Sequence, residues 1–429
     1  MSVNVATKRA GADAEPRGTL GVALQKALEQ PLADYYLMWA VTAALAGIGL
    51  FMVLSASSVY AMVTTGDAYS YGRWQLFVAV VGVVVAFVLS RLDEKPYIVV
   101  AWLGLAAALL LLIITVIPGG PGASVGGQQA WLEIGPLPKV QPSEFAKAAL
   151  VVWGAAVFAQ PARARVLDDT KALLRPYLPV ALAVLLLVVL EKDLGTAAVF
   201  AAIIVLQLWF VGAPGKVLGW LIGGGLLCSA AVIAVSDTHR HKMVAFLAER
   251  FGFLGMTSQP TSDQPNNAIY ALATGGWWGT GPGASRQKWG GLYNGAHTDY
   301  ILAVLGEELG LFGVLVVLGL LFAFIFTGIR IARRSTRVFW RSAAAGITGW
   351  IMVQAAINIM VAFGLLPVIG VPFPFISYGG SALLACFIGV GVLLAAARHE
   401  PAALAELAAR RVQHKQGKVA GVVVARPAK

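Results

Sequence analysis

The stretch YIVVAWLGLAAALLLLIITVI, residues 97–117, runs for 21 residues without a charged side chain. A helix needs about 20 mostly apolar residues to cross the hydrocarbon core of a bilayer. The run has no polar face to show to water, so it reads as a transmembrane helix, and lipid becomes the expected solvent for the whole chain. Working outward, the same test finds nine more spans: 37–58, 75–90, 143–158, 173–190, 194–211, 217–235, 300–329, 343–363 and 381–397. Composition agrees. Hydrophobic residues make up 58% of the 429 and charged residues 12%, with a mean hydropathy of +0.76, whereas soluble domains carry about 25% charged residues.

The expected fold is therefore all-α: a polytopic membrane protein of about ten transmembrane helices, with a large extracytoplasmic loop between helices seven and eight. Residues 1–30 read as a disordered cytoplasmic tail, 31–398 as the transmembrane domain and 399–429 as a second cytoplasmic tail. The polar N-terminal segment lacks the apolar core and small-residue cleavage site of a removable signal peptide. Residues 401–411 are expected to form a short surface helix. Cys228 and Cys386 both lie in apolar runs and read as small buried hydrophobes, neither a disulfide framework nor a metal site. The net charge of +11 is spread over loops between spans, as membrane topology requires, and does not indicate nucleic-acid binding.

Basic residues orient the bundle. With the N terminus inside, the inner segments hold Lys8, Arg9, Arg17 and Lys26, then Arg91 and Lys95, then Arg163, Arg165, Lys171 and Arg175, then Lys216. They also hold Arg330, Arg333, Arg334, Arg337 and Arg341, and the basic C-terminal tail. Both termini are then cytoplasmic. The large outer loops become 118–142 and 236–299. A third outer element, GLLPVIGVPFPFISYGG at 364–380, is interrupted by prolines that disfavour a continuous helix. Non-helical backbone at membrane depth is tolerated only against protein or water, so this segment is expected to be re-entrant or to line a cavity.

Charged groups beside apolar spans carry the functional information, because each costs roughly 2.5–3.5 kcal/mol at a helix centre. Four clusters stand on the outer side. In Gln141-Pro142-Ser143-Glu144-Phe145-Ala146-Lys147, Pro142 suits a first helical turn. Glu144 and Lys147 share a face at i,i+3, as a structural ion pair or as a substrate contact. In Glu191-Lys192-Asp193-Leu194-Gly195-Thr196, Asp193 is either a helix cap or part of a site with Lys192. The glycine-rich run 275–283, followed by Ser285-Arg286-Gln287-Lys288-Trp289-Gly290, permits close backbone approach to a ligand, and Arg286 and Lys288 can neutralise a phosphate. It is not a P-loop, since the GK[ST] ending is absent.

The fourth cluster is His297-Thr298-Asp299-Tyr300, followed by Gly306-Glu307-Glu308-Leu309-Gly310. A carboxylate where a loop meets an apolar helix is half desolvated, which suits a general base; helix capping is the alternative.

Taken together these clusters resemble the SEDS family (shape, elongation, division and sporulation), the FtsW/RodA group. The matching residues are QPSEFAK at 141–147, DLGT at 193–196, SRQKWG at 285–290, AHTDYI at 296–301, GEELG at 306–310 and NIMVAFGLLPVIGVPFPFISYGGS at 358–381. SRQKWG before AHTD is more similar to the division branch, FtsW, than to the elongation branch. One departure is Gly127-Gln128-Gln129-Ala130-Trp131, where the family usually carries an arginine.

The resemblance implies ten spans with both ends inside, in the bacterial cytoplasmic membrane. It implies a peptidoglycan glycosyltransferase polymerising lipid II, the disaccharide-pentapeptide on undecaprenyl diphosphate. It places the family's essential aspartate on Asp299 and its QPSE..K pair on Glu144 and Lys147. It also implies a class B penicillin-binding protein transpeptidase and other divisome membrane proteins as partners. Substrate contacts are expected from Glu144, Lys147, Lys192, Asp193, Arg286, Lys288 and His297. No metal-ligand spacing demands a cofactor; a divalent cation such as Mg or Mn is an optional aid to the leaving diphosphate. A lipid II flippase and a non-catalytic scaffold for a transpeptidase are the alternatives, the first requiring charged groups along a path across the whole bilayer.

Overall fold

The computed structural model describes residues 26–424 apart from 118–119, 126–127, 134–138, 161–169, 237–239, 242, 245, 248–263 and 294. The helices are α1 (Ala33–Thr65), α2 (Ser70–Leu89), α3 (Glu94–Val116), α4 (Pro142–Phe158), α5 (Thr170–Leu190) and α6 (Leu194–Val211). Then come α7 (Gly215–Val235), α8 (Gln264–Gly275), α9 (Ile301–Arg334), α10 (Val338–Ala362), α11 (Gly380–Arg398) and α12 (Pro401–Val424). Helices dominate because each satisfies its own backbone within one segment, which lipid demands.

Ten of these helices coincide with the ten expected spans. Eight among the described residues are long and apolar enough to cross a bilayer. The other two are α4, at 17 residues, and α5, whose apolar part is Arg175–Leu190. The N-terminal residues 1–25, with Lys8, Arg9 and Arg17, lie outside the described residues, as do Arg163, Arg165 and Gly127. Between α3 and α4 the chain forms a short antiparallel hairpin of β1 (Gly122–Val125) and β2 (Gln128–Leu132). The Gln129 N–H donates to the Glu191 carbonyl at 2.9 Å, docking this hairpin on the α5–α6 tip.

The core centres on α4, α10 and α11, which are buried along most of their length. By contrast α7 buries no residue. That placement corrects one expectation: Cys386 is buried on α11, but Cys228, on α7, is exposed. The C-terminal helix also extends to Val424, well past the short helix expected at 401–411.

Residues 364–379 are non-helical, as the prolines suggested, and their second half is packed in protein. Val371, Phe373, Phe375, Ile376 and Ser377 are buried. Gly195, in the first turn of α6, lets this segment approach: a Cβ there would lie 2.1 Å from the Ile369 carbonyl oxygen.

The expected unbroken span at 300–329 is interrupted. Gly310 inside α9 has φ +67° and ψ −170°, a left-handed conformation that only glycine adopts readily. The glycine-rich run crosses at this break. Thr280 N–H donates to the Glu307 carbonyl at 2.9 Å and Gly281 N–H to the Glu308 carbonyl at 3.0 Å. In return, Leu311 N–H donates to Gly276 O at 2.9 Å and Phe312 N–H to Trp277 O at 3.2 Å. The close approach these glycines permit is thus to the backbone of α9.

Candidate functional site

One end of the bundle gathers the four charged clusters, and α10 supplies the ties between them. Trp350, Gln354 and Asn358 recur every fourth residue, so they share one face of that helix. Gln354 Oε1 accepts from Lys147 Nζ at 2.8 Å and from Trp350 Nε1 at 2.6 Å, while its Nε2 donates to Pro372 O at 3.0 Å. One turn further, Asn358 Nδ2 donates to the Asp299 carbonyl at 3.2 Å and to Val371 O at 2.9 Å. A single helix face therefore joins α4, the 364–379 segment and the loop that carries Asp299.

Pro142 occupies the first turn of α4, as expected. Lys147 Nζ meets Glu144 Oε1 at 2.8 Å, and both side chains are fully buried. Lys147 also lies over the Trp350 ring, 5.4 Å from its centroid. Glu144 Oε2 is buried without a hydrogen-bond partner among the described residues. Here the pair is an internal element of the fold.

Asp193 does cap α6, accepting from Thr196 N–H at 2.9 Å through Oδ1. Its other oxygen accepts from Gln141 Nε2 at 3.2 Å, so it also ties the α4 entrance to α6. Burial raises its carboxyl above the usual range, against the lowering from the Thr196 hydrogen bonds and the Lys147 charge. Glu191 is pushed up to about 8, chiefly by burial. Its Oε1 accepts from the Thr115 hydroxyl. Lys192 between them is exposed, at φ +61°.

The SRQKWG loop is bound to the top of α9 through both glutamates. Glu307 accepts from Ser285 Oγ at 2.5 Å and from Arg286 N–H at 2.9 Å. Glu308 Oε1 meets Lys288 Nζ at 2.8 Å, and both are buried. Ser55 on α1 donates to Glu308 Oε1 and Oε2 at 2.8 and 2.7 Å. Lys288 is thus committed to a buried ion pair, whereas its neighbour Arg286 is exposed. Of the four cations expected to contact the substrate, Lys192 and Arg286 are exposed and Lys147 and Lys288 are buried.

Asp299 is half-buried, one residue before Tyr300, the residue that caps α9. The cap position therefore belongs to its neighbour. Two residues earlier His297 is 5% exposed, held among Tyr60, Tyr71 and Tyr378 with ring centroids 5.0, 5.5 and 5.6 Å away. Desolvation lowers its pKa to about 4, so it is neutral at pH 7. The turn is fixed from below: Tyr378 N–H donates to His297 O at 2.8 Å and Ser377 Oγ to Thr298 O at 2.7 Å. Gln75 on α2 donates to Ser377 O at 3.1 Å.

Sequence reasoning missed Gln75, Ser55, Gln354 and Asn358. The last two were visible as amides four residues apart in an apolar run, a spacing that marks an inward-facing polar stripe.

A helical bundle with eight helices long and apolar enough to cross a bilayer among the described residues, and with a half-buried carboxylate and buried ion pairs gathered at one end, defines a polytopic membrane protein. The chain belongs to the FtsW/RodA/SpoVE family of cell cycle proteins, whose family model matches residues 35–402. It is 37% identical over 400 residues to the protein of Mycobacterium tuberculosis named "Probable peptidoglycan glycosyltransferase FtsW", covering 93% of this chain and 73% of that protein. It is also 32% identical over 362 residues to stage V sporulation protein E of Bacillus subtilis, covering 84% of this chain and 95% of that one. Among solved structures, a chain of a peptidoglycan synthase complex described as coordinating polymerization and crosslinking matches with TM-score 0.65 and 25% identity, over 85% of this chain and 97% of that chain.

Proposed function

We propose that this multi-pass membrane protein is a peptidoglycan glycosyltransferase that polymerises lipid II on the outer face of the cytoplasmic membrane, for septal wall synthesis. The observation that carries the reading is the placement of Asp299: half-buried at the outer end of the bundle, with its backbone held by Asn358. The acceptor sugar's 4-hydroxyl attacks the donor's anomeric carbon with inversion, and Asp299 takes the hydroxyl proton as the lipid diphosphate leaves. A positioned base supplies about 10²–10⁴ in rate. The developing charge on the diphosphate needs cations as well, and Lys192 and Arg286 are the two that face outward. A divalent cation such as Mg or Mn would add to that charge.

Both termini are cytoplasmic in this reading, supported by the clustering of Arg330, Arg333, Arg334, Arg337 and Arg341 at the end of the bundle opposite Asp299. A class B penicillin-binding protein transpeptidase is the proposed partner, supported by the likeness to a synthase complex in which polymerization and crosslinking are coordinated. The test is the purified full chain with lipid II, with and without the transpeptidase. Glycan strands that vanish in Asp299→Asn support the enzyme. Translocation of lipid II without polymer would make the chain a transporter.

A further inference from the structure

At the end of the bundle opposite Asp299 lies a cavity of about 290 Å³ between the ends of α4, α6 and α9 and the first half of α10. Its walls are apolar, including Phe158, Phe210, Ile325 and Met352, and its lining also includes Arg333, Arg341 and Ser342. This end carries five arginines on α9, α10 and the turn between them, and three are matched to carboxylates. Arg330 and Arg334 meet Asp34 at 3.0 and 3.2 Å, and Arg337 meets Glu94 at 2.8 Å. Among the described residues no carboxylate lies within ion-pair reach of Arg333 or Arg341, the two that line the cavity. A third group there also lacks a partner: Ser342 Oγ is buried and accepts or donates no hydrogen bond within the described residues. Buried hydroxyls are normally satisfied.

We propose that this cavity binds one anionic diacyl phospholipid from the adjacent leaflet. The lipid phosphate lies between Arg333 and Arg341 and accepts from the Ser342 hydroxyl, while part of one acyl chain fills the apolar cleft. Membrane topology accounts for arginines at this end; it does not account for two of them lining an apolar cavity beside an unpartnered hydroxyl. A zwitterionic headgroup brings its own cation to the same place and is the poorer fit.

The test is native mass spectrometry of the full chain in detergent, with phosphatidylglycerol competing against phosphatidylcholine. Wild type is expected to retain phosphatidylglycerol with roughly tenfold or greater preference, and Arg333→Gln with Arg341→Gln to bring the preference near unity. Lys216→Gln, which removes a basic residue that does not line the cavity, should keep it. Equal retention of both lipids by wild type would overturn the proposal, as would a loss of preference in Lys216→Gln matching that of the double variant. A second measurement uses wild type alone, so that misfolding of a variant cannot decide the outcome. A phosphatidylglycerol carrying a diazirine on its acyl chain should crosslink to peptides containing Phe158, Ile325 or Met352. Adducts spread evenly over the lipid-facing helices would overturn the assignment.

Discussion

The side-chain amide of Asn358 donates to the backbone carbonyl of Asp299 at 3.2 Å and, with the same nitrogen, to Val371 O at 2.9 Å. One side chain on a spanning helix thus holds the backbone of the proposed base and the non-helical segment beneath it. Asn358→Leu removes both bonds and leaves two carbonyls short of a donor. Thermal unfolding in detergent should show a loss of about 1–3 kcal/mol, and polymerisation should fall through kcat more than through KM, since the carboxylate is displaced and not removed.

Asp299→Asn keeps the size and the backbone bond but cannot take a proton. Glycan synthesis from lipid II should drop by about 10²–10⁴ with unchanged expression and melting temperature. Near-normal polymer length and rate on gels would remove Asp299 from the base role.

The Glu144–Lys147 pair, joined at 2.8 Å and fully buried, should behave as a unit. Lys147→Met leaves a buried carboxylate uncompensated and should cost about 3–5 kcal/mol. Glu144→Gln with Lys147→Met together should cost less than the sum of the single changes, which a double-mutant cycle on unfolding midpoints measures.

Gly310→Ala places a Cβ 2.4 Å from the Gly279 nitrogen on a backbone at φ +67°. Either fault alone is unfavourable. The variant should lose the crossing of loop and helix, seen as faster proteolysis within 276–290 and loss of polymerisation.

His297 gives a pH signature with a definite sign. Its folded pKa, about 4, lies below the free value of about 6.5. Between these values the unfolded chain binds more protons than the folded one. The stability from keeping this ring neutral is present above pH 6.5 and is lost as pH falls toward 4. Melting temperatures across that window should fall less steeply in His297→Phe than in wild type.

Much of this architecture was legible in the chain itself. Apolar runs located ten of the twelve described helices, and prolines marked 364–379 as non-helical. The four polar clusters gather at one end of the bundle because charged groups are costly at the centre of a span. What stayed hidden was pairing across the chain. Lys288 read as a phosphate contact, yet it meets Glu308, 20 residues away in sequence. The glycines at 275–283 read as a close approach to a ligand, whereas the backbone they meet is that of α9. Cys228 looked buried because an apolar run does not say whether it faces protein or lipid. Asp193 was legible as a cap from its distance to Thr196, but its bond to Gln141 joins segments that only the fold brings together.

The break at Gly310 bears on how the molecule is made. Residues 276–281 leave the ribosome before the backbone groups of Glu307, Glu308, Leu311 and Phe312 that complete them. Until α9 is laid into the bilayer, residues 276–281 lack these backbone partners. The crossing of loop and helix is therefore finished only after the eighth span is in place, and a nascent chain stopped short of it would carry the 276–281 stretch of backbone with no seat.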